Sequence, residues 1–394
     1  MSSIAALLDQ SVERYRKQFS AKPALAVAAP GRANLIGEHT DYNDGHVLPI
    51  AIDRYLVAAA GFRNDRMFRI CSTALDESFL FDADNPPAER PRWTSYIVGI
   101  IAELERDGFL FSGKDILIHG DLPLGSGLSS SAAFEICVAT AVERMEGIQF
   151  DDVQLVNACR RADRNFAGIN SGPMDQFASR ACRAGHAGLL DCRSLELRHR
   201  LLPPSVEFLS IYTGIPRALA ASEYNERQSS CQRAVAVLQH HYPEIKALRD
   251  ATPAQVESRK RALGDSAYRR ARHVVTEQRR VFAMVEAFER NDLPRAGRLL
   301  LEGHRSLAED YDVSLPVLDE MVDWLYAQQG VVGARLTGAG FGGSLVCVVE
   351  AGKVEAAQMA ERFANAFAAR MPEAPLLWKL TAVDGAKHQP SHIP

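Results

Sequence analysis

Along the first part of the chain the apolar positions switch repeatedly between two periods. Val47–Ile52, Tyr55–Ala60 and Lys114–His119 are short apolar or β-branched runs bounded by Gly, Asp or Pro, and they predict strands. Trp93–Leu104 and Ala132–Met145 repeat apolar residues every three or four positions and predict helices. Between these, Asp82–Pro91 (DADNPPAERP) reads as a surface loop. The opening MSSIAALLDQSVERYRKQF reads as an amphipathic helix, because Asp9 and Glu13 fall where a signal peptide needs an apolar core. From about residue 218 to Gln328 strand patterns vanish, and long amphipathic stretches follow one another with breaks near Pro243, Pro253, Gly264 and Pro294. Near Val332 the alternation returns. A strand to Thr337, a glycine loop, a strand Ser344–Val349, a helix from Val354 and a strand near Leu376–Leu380 are expected, and the final GAKHQPSHIP reads as a loose tail. The pattern predicts an α+β chain of two lobes, residues 1–202 and 203–394, with the boundary around Leu202-Pro203-Pro204.

Composition excludes several classes. The chain has 394 residues, with 45 Lys+Arg against 49 Asp+Glu, enough length for a large core without metal or disulfide support. Its longest stretch free of charged residues, Leu336–Val349, is glycine-rich and shorter than the roughly 17–25 residues of a membrane helix. The 7 cysteines are scattered without a CxxC pair, which predicts reduced thiols in a cytoplasmic protein. Arg259–Arg280 carries eight Lys/Arg against two acidic residues; with the slightly acidic whole, it reads as a solvated helix face and not as a nucleic-acid surface.

Three loops carry candidate chemistry. Leu122–Ala133 (LPLGSGLSSSAA) lies between a predicted strand and helix. Its glycines let N–H groups turn inward, and its serines meet the helix N-terminus, where unpaired N–H groups and the helix dipole favour an anion. Nucleotide phosphates suit that cradle, and a serine hydroxyl can also ligate Mg²⁺; a merely capped helix is the plain alternative. No GxxxxGK[ST] occurs, and the GxGxxG at Gly338–Gly343 precedes a strand instead of a helix, so neither familiar nucleotide motif applies. Those glycines read as a close approach to a ligand or the other lobe, or as a plain turn. Ala29–Gly45 gathers Arg32, Glu38, His39 and Asp41 between apolar segments, a set that suits a polyol through carboxylate acceptors; zinc and a solvated charged loop are the rival readings. In Asp163–Gln176, Asp175 falls at the start of a helix, either as a cap or as the acceptor of a proton from a hydroxyl attacking phosphorus.

These stretches together resemble the galactokinase branch of the GHMP small-molecule kinases. GRANLIGEHTDYNDGHVLP (Gly31–Pro49) is similar to the galactokinase signature, LPLGSGLSSSAAF (Leu122–Phe134) to the superfamily phosphate loop, and GARLTGAGFGGSLVCVV (Gly333–Val349) to its closing glycine motif. SGPMDQ (Ser171–Gln176), SEYNER (Ser222–Arg227), RARHVVTEQRRV (Arg270–Val281) and GHRSLAEDYDVS (Gly303–Ser314) extend the likeness. The resemblance implies a two-lobed GHMP kinase fold, with an N-terminal lobe like a ribosomal-protein domain and a ferredoxin-like C-terminal lobe. It implies transfer of phosphate from ATP to the anomeric hydroxyl of α-D-galactose, giving galactose 1-phosphate and ADP.

Carried over by position, Glu38, His39, Thr40, Asp41, Gly172, Asp175 and Tyr224 would bind sugar, and Asp175 with Arg32 would be catalytic. Gly125, Ser126, Gly127, Leu128, Ser129, Ser130 and Ser131 would bind ATP, and Ser131 with Asp163 would hold Mg²⁺. Three positions depart from the pattern: Asp163 replaces a usual Glu, Arg217 a common His and Ser344 a common Cys. Small molecules alone are the implied partners of a cytoplasmic monomer, with no nucleic acid and no membrane. A kinase of galactosamine, arabinose or galacturonate is one alternative. A sugar- and ATP-binding regulator without catalysis is another, against which the intact Ser131, Asp175 and Arg32 speak.

Overall fold

Residues 4–216 and 220–393 are described in the computed structural model, Ala220–Ser222 by backbone alone; Arg217 and the expected start of the helical region at residue 218 lie outside them. The N-terminal lobe contains α1 (Ile4–Phe19), β1 (Leu25–Asn34), β2 (His46–Val47), β3 (Pro49–Phe62), β4 (Met67–Ser72), β5 (Glu77–Asp82), α2 (Thr94–Arg106), β6 (Lys114–Gly120), α3 (Ser130–Met145), α4 (Asp152–Ala162), α5 (Met174–Ala181), β7 (His186–Asp191) and β8 (Glu196–Leu201). The C-terminal lobe contains β9 (Val206–Tyr212), α6 (Ala220–Gln239), α7 (Pro253–Ser258), α8 (Lys260–Glu289), α9 (Leu293–Ser306), α10 (Pro316–Tyr326), β10 (Val331–Thr337), β11 (Ser344–Glu350), α11 (Ala356–Phe367) and β12 (Leu376–Leu380).

The first sheet runs in the order β1-β3-β6-β4-β5, parallel only between β4 and β6, and β2-β7-β8 form a small antiparallel sheet. In the second lobe the antiparallel order β10-β11-β9-β12, with helices between β9 and β10 and between β11 and β12, is the ferredoxin-like arrangement. Strand alternation buries both faces of that sheet. Val206, Phe208, Val346 and Val348 join the core of the N-terminal lobe, whereas Leu209, Ile211, Leu345 and Cys347 pack under the helices. The lobes are therefore seated on one another through a shared apolar layer.

Three expectations are corrected. The strands expected at Val47–Ile52 and Tyr55–Ala60 run on as one strand, β3, apart from Val47, which falls in β2: the ladder to β1 shifts register opposite residues 52–54 and resumes at Tyr55, and Asp53 trades hydrogen bonds with Thr381. The terminal segment is no loose tail. His392 pairs with Ala26, Ala386 is buried, and the Arg144 guanidinium donates to Ser391 and to the carbonyls of Ala386 and Gln389. The basic run is a solvated face only in part: Lys260, Arg261, Arg272 and Arg279 are exposed, but the run also makes buried and paired contacts. Arg270 is buried and donates to Asp310 O and Asp312, Arg272 pairs with Asp310, and Arg280 pairs with Glu277.

Candidate active site

A cleft of about 670 Å³ opens between the lobes, and residues from all three chemistry-bearing loops line it. Its floor is set by an irregularity in β1. The register shifts between Pro30 and Arg32, and this bulge lets the strand meet the loop before α3. Only glycine fits at position 31, since a Cβ there would stand 2.6 Å from the Leu128 carbonyl oxygen. That carbonyl accepts the Arg32 N–H at 3.1 Å, and the Gly127 carbonyl accepts Arg32 Nη1 at 2.7 Å. The Ser126 carbonyl accepts the Ser344 hydroxyl at 2.7 Å.

Three successive carbonyls thus point into the protein. In a trans peptide the next N–H points the opposite way, so the amides of Gly127, Leu128 and Ser129 are turned away from these partners. None of the three donates to another described residue. Ser129 adopts the left-handed conformation (φ 62°, ψ 47°) at the cap position of α3, yet its side chain does not cap the helix. A row of free N–H groups running into an uncapped helix N-terminus, with Ser130 and Ser131 on the cleft wall, is a cradle for anionic oxygens.

The Ser129 hydroxyl instead donates to Asp175 Oδ2. Asp175 lies in the first turn of α5, and Arg32 grips it with both arms of the fork, Nε to Oδ1 at 2.8 Å and Nη2 to Oδ2 at 2.9 Å. Arg32 is nearly closed off from solvent while Asp175 keeps 29% of its side chain exposed, on the cleft side. One arginine therefore holds both the carboxylate and the phosphate-type loop. The pair leaves an oriented acceptor beside an anion cradle.

At one end of the cleft acids accumulate. Glu38, Asp41 and Asp175 all line it. Burial, then the nearby Asp175 charge, pushes the Asp41 carboxyl up to about 6. Burial pushes Glu38 up to about 7 although Arg335 works against the rise. Arg335, fully buried, reaches Glu38 Oε2 and Glu277 Oε1, each at 2.7 Å. Glu277 also accepts the Gly37 N–H at 2.9 Å, so it fixes the loop that carries Glu38. His39 has a left-handed backbone (φ 63°), and its Nδ1 lies 2.8 Å from the Tyr42 hydroxyl, which meets the Tyr311 hydroxyl at 2.7 Å. Burial, then His273 and Arg227, holds the His39 imidazole well below its ordinary value, so it is neutral at pH 7; its Nε2 has no partner among the described residues. Tyr224, from α6, closes this end 5.8 Å from the His39 ring. The neutral imidazole, free acceptors and aromatic wall suit a molecule rich in hydroxyls.

Asp163 and Ser131 both line the cleft. Asp163 opens a π-helical turn and accepts from Ser171 Oγ at 2.5 Å and Gln176 Nε2 at 3.0 Å; the same amide nitrogen reaches buried Glu135 at 3.0 Å. Burial pushes Asp163 up to about 7, and the neighbouring Asp175 adds to the rise. Leu75, Trp93, Tyr96 and Phe134 also line the cleft as an apolar wall, with Trp93 Nε1 donating to Glu77 at 2.6 Å.

Not every expected residue reaches the cleft. Thr40 is fully buried, and its hydroxyl lies within hydrogen-bond distance of the Gly37 and His46 carbonyls, so it shapes the loop from behind. Leu128 sits in the core, and Ser126 turns its hydroxyl back to Pro123 O at 2.8 Å. Both serve the cradle through their main chains. Conversely, the apolar wall and the Glu38–Arg335–Glu277 cluster went unread. Aromatic residues near a proline-rich loop carry no local mark of a pocket, and nothing in the spacing joins positions 38, 277 and 335.

The chain is similar to known proteins over most of its length. Residues 13–62 match the galactokinase galactose-binding signature, residues 95–182 the GHMP kinases N terminal domain and residues 284–369 the GHMP kinases C terminal family. A galactokinase of Roseiflexus sp. is 43% identical over 343 residues, covering 87% of this chain and 88% of that protein. A galactokinase of Streptomyces coelicolor is 39% identical over 382 residues, covering 95% and 97%. The crystal structure of Lactococcus lactis galactokinase complexed with galactose superposes with a TM-score of 0.91 at 30% identity, covering 98% of this chain and 100% of that one. The Methanococcus jannaschii mevalonate kinase, 16% identical with a TM-score of 0.62 over 91% of this chain and 98% of that one, shares the fold.

Proposed function

The chain belongs to the galactokinase family, and from that premise we propose that it transfers the terminal phosphoryl group of ATP to the anomeric hydroxyl of α-D-galactose. The observation that carries the reading is the shared cleft: an arginine-gripped Asp175 and an N–H cradle tied to the same arginine. Galactose would lie against Glu38, His39, Asp41, Gly172 and Tyr224, with its anomeric hydroxyl toward Asp175. The triphosphate would rest on residues 125–131, with the nucleobase toward Trp93 and Tyr96.

Phosphoryl transfer of this kind has a loose transition state, so positioning and charge neutralisation supply most of the acceleration. In this reading Asp175 orients the hydroxyl and accepts its proton, and Arg32 neutralises charge gathering on the moving phosphoryl group. The oxygen donors of the cleft fit Mg²⁺. Ser131 and Asp163 offer the oxygens it prefers, and the crowding of Asp163 with Asp175 is the kind of acid cluster a cation relieves. When bound, the ion would neutralise phosphate charge. Asp163, shorter by one methylene than the expected Glu, still lines the cleft, which supports the reading with or without a bridging water. We infer a cytoplasmic setting from the seven buried free cysteines; among the described residues no helix is long and apolar enough to cross a membrane.

Release of ADP, measured in a coupled assay over galactose, galactosamine, arabinose and galacturonate, tests the assignment. Galactose should be turned over fastest. Galacturonate should fall below about 1% of it, because its carboxylate would be buried beside those of Glu38, Asp41 and Asp175. Asp175→Asn should lower turnover by at least about a thousandfold while galactose still binds. Comparable galacturonate turnover, or an active Asn variant, would refute the arrangement.

A further inference from the structure

Ser344 stands where the family pattern leads one to expect cysteine, and its position is unusually constrained. It is fully buried at the first residue of β11, an interior strand, opposite Thr337 on one side and Tyr212 on the other. The preceding Gly343 is held as well: its N–H donates to Ile215 O at 2.9 Å, and its carbonyl accepts from the Thr213 N–H and hydroxyl at 2.9 Å each. From this fixed point the Ser344 hydroxyl crosses between the lobes to the Ser126 carbonyl at 2.7 Å.

Arg32 holds the two carbonyls that follow, but it does not reach this one. The Ser126 carbonyl belongs to the same peptide as the Gly127 N–H, so the bond that draws the oxygen inward turns that hydrogen outward. We propose that Ser344 is a positioning residue for the phosphate cradle: from the opposite lobe it orients the first N–H of the row, and so links affinity for a nucleotide triphosphate to the seating of the two lobes. The inference rests on the nucleotide reading of the cleft. A rigid strand is the right support, because a hydroxyl on a mobile loop could not hold a peptide plane against the pull of water. Cysteine there offers only a weak S–H donor, so the departure from the pattern strengthens the tie.

Isothermal titration of the full-length protein with three ligands tests this: adenylyl imidodiphosphate with Mg²⁺, adenosine, and galactose. Ser344→Ala should weaken the triphosphate analogue by about three- to tenfold, the loss expected for one hydrogen bond. The near-isosteric Ser344→Cys should weaken it less. Affinity for adenosine and galactose should stay at the wild-type value in both, since neither ligand uses the cradle. Unchanged affinity for the analogue in the Ala variant overturns the proposal, and so does an equal loss for all three ligands, which would mark a general loosening. A wild-type protein that binds galactose but not the analogue would instead remove the nucleotide reading, and this inference with it.

Discussion

At Gly172 a single methyl group would block the end of the cleft proposed to take the sugar. A Cβ there would lie 2.0 Å from Asp41 Oδ2 and 2.7 Å from Asp41 Cβ, so Asp41 as a whole would have to shift. Gly172→Ala should weaken galactose binding by about ten- to a hundredfold with little change in fold, readable by calorimetry and circular dichroism. Asp41 itself should impose a pH dependence. Burial and Asp175 lift its carboxyl from the ordinary value of 3.8 to about 6. Between those values the folded protein without sugar holds a proton that the unfolded chain has released, so this group's contribution to stability falls as pH rises through that window. In the proposed pose sugar hydroxyls would donate to the ionised form. Galactose affinity should therefore drop as pH falls below about 6, and Asp41→Asn should bind more weakly with that dependence flattened. An unaltered pH profile in the Asn variant would exclude Asp41 as the acceptor.

Between elements, one amide joins the lobes over the sugar end. Asn225 on α6 donates through Nδ2 to Gly168 O at 3.1 Å and accepts the Asn170 N–H at 3.3 Å, clasping the loop that leads to Gly172. Asn225→Ala should raise the KM for galactose by about three- to tenfold and leave the KM for ATP near its wild-type value, since two modest hydrogen bonds are lost far from the cradle. A parallel rise in both constants would point to wider damage. The Glu38–Arg335–Glu277 cluster is the deeper link, joining the signature loop, β10 and α8. Burial alone would raise Glu277, but Arg335 and Arg280 outweigh it and hold the carboxyl well below the ordinary range. Removing Arg335 would leave the buried Glu38 carboxyl without its ion-pair partner, while Glu277 would keep Arg280, and the cost of such a loss far exceeds the net value of the intact pair.

Across the whole molecule, the chain's end fastens the N-terminal lobe. Arg144 gives all its assigned hydrogen bonds to Ser391, Ala386 and Gln389, and Lys387 reaches Asp152 at 2.6 Å. Deleting residues 384–394 would strand the half-buried Arg144 guanidinium and uncover the apolar surface that Ala386 covers. Urea denaturation should show about 2–4 kcal/mol less stability, with the cleft residues unaltered and galactose affinity preserved. The lobes are also pinned beside the signature loop. Arg193 bonds both Asp44 and Asp250, and Arg249 reaches the Asp44 carbonyl and Asp191. Such ties keep the sugar end registered against the phosphate cradle.

The elements that hold the cleft could be read from periodicity because each is decided locally. Short apolar, β-branched runs mark β6 and β11, three- and four-residue spacing marks α3, and serine after glycine marks a helix start. Arg32, Glu38, His39, Asp41 and Asp175 could be singled out for the same reason, as polar groups set between apolar segments or at the start of a helix, although a solvated loop and a plain cap fitted the same spacing. Partnership was not visible. Whether Asp53-Arg54 breaks a strand, whether the tail is loose, and whether Arg270 faces water all depend on what lies across from them, and sequence spacing carries no record of that. Thr40 and Tyr224 look equally suited to bind sugar in the chain, yet folding buries one behind the loop and sets the other on the wall. Local chemistry fixes which groups exist; only the packing of lobes decides which of them are desolvated, paired or left free to meet a ligand, because those states arise from contacts between residues hundreds of positions apart.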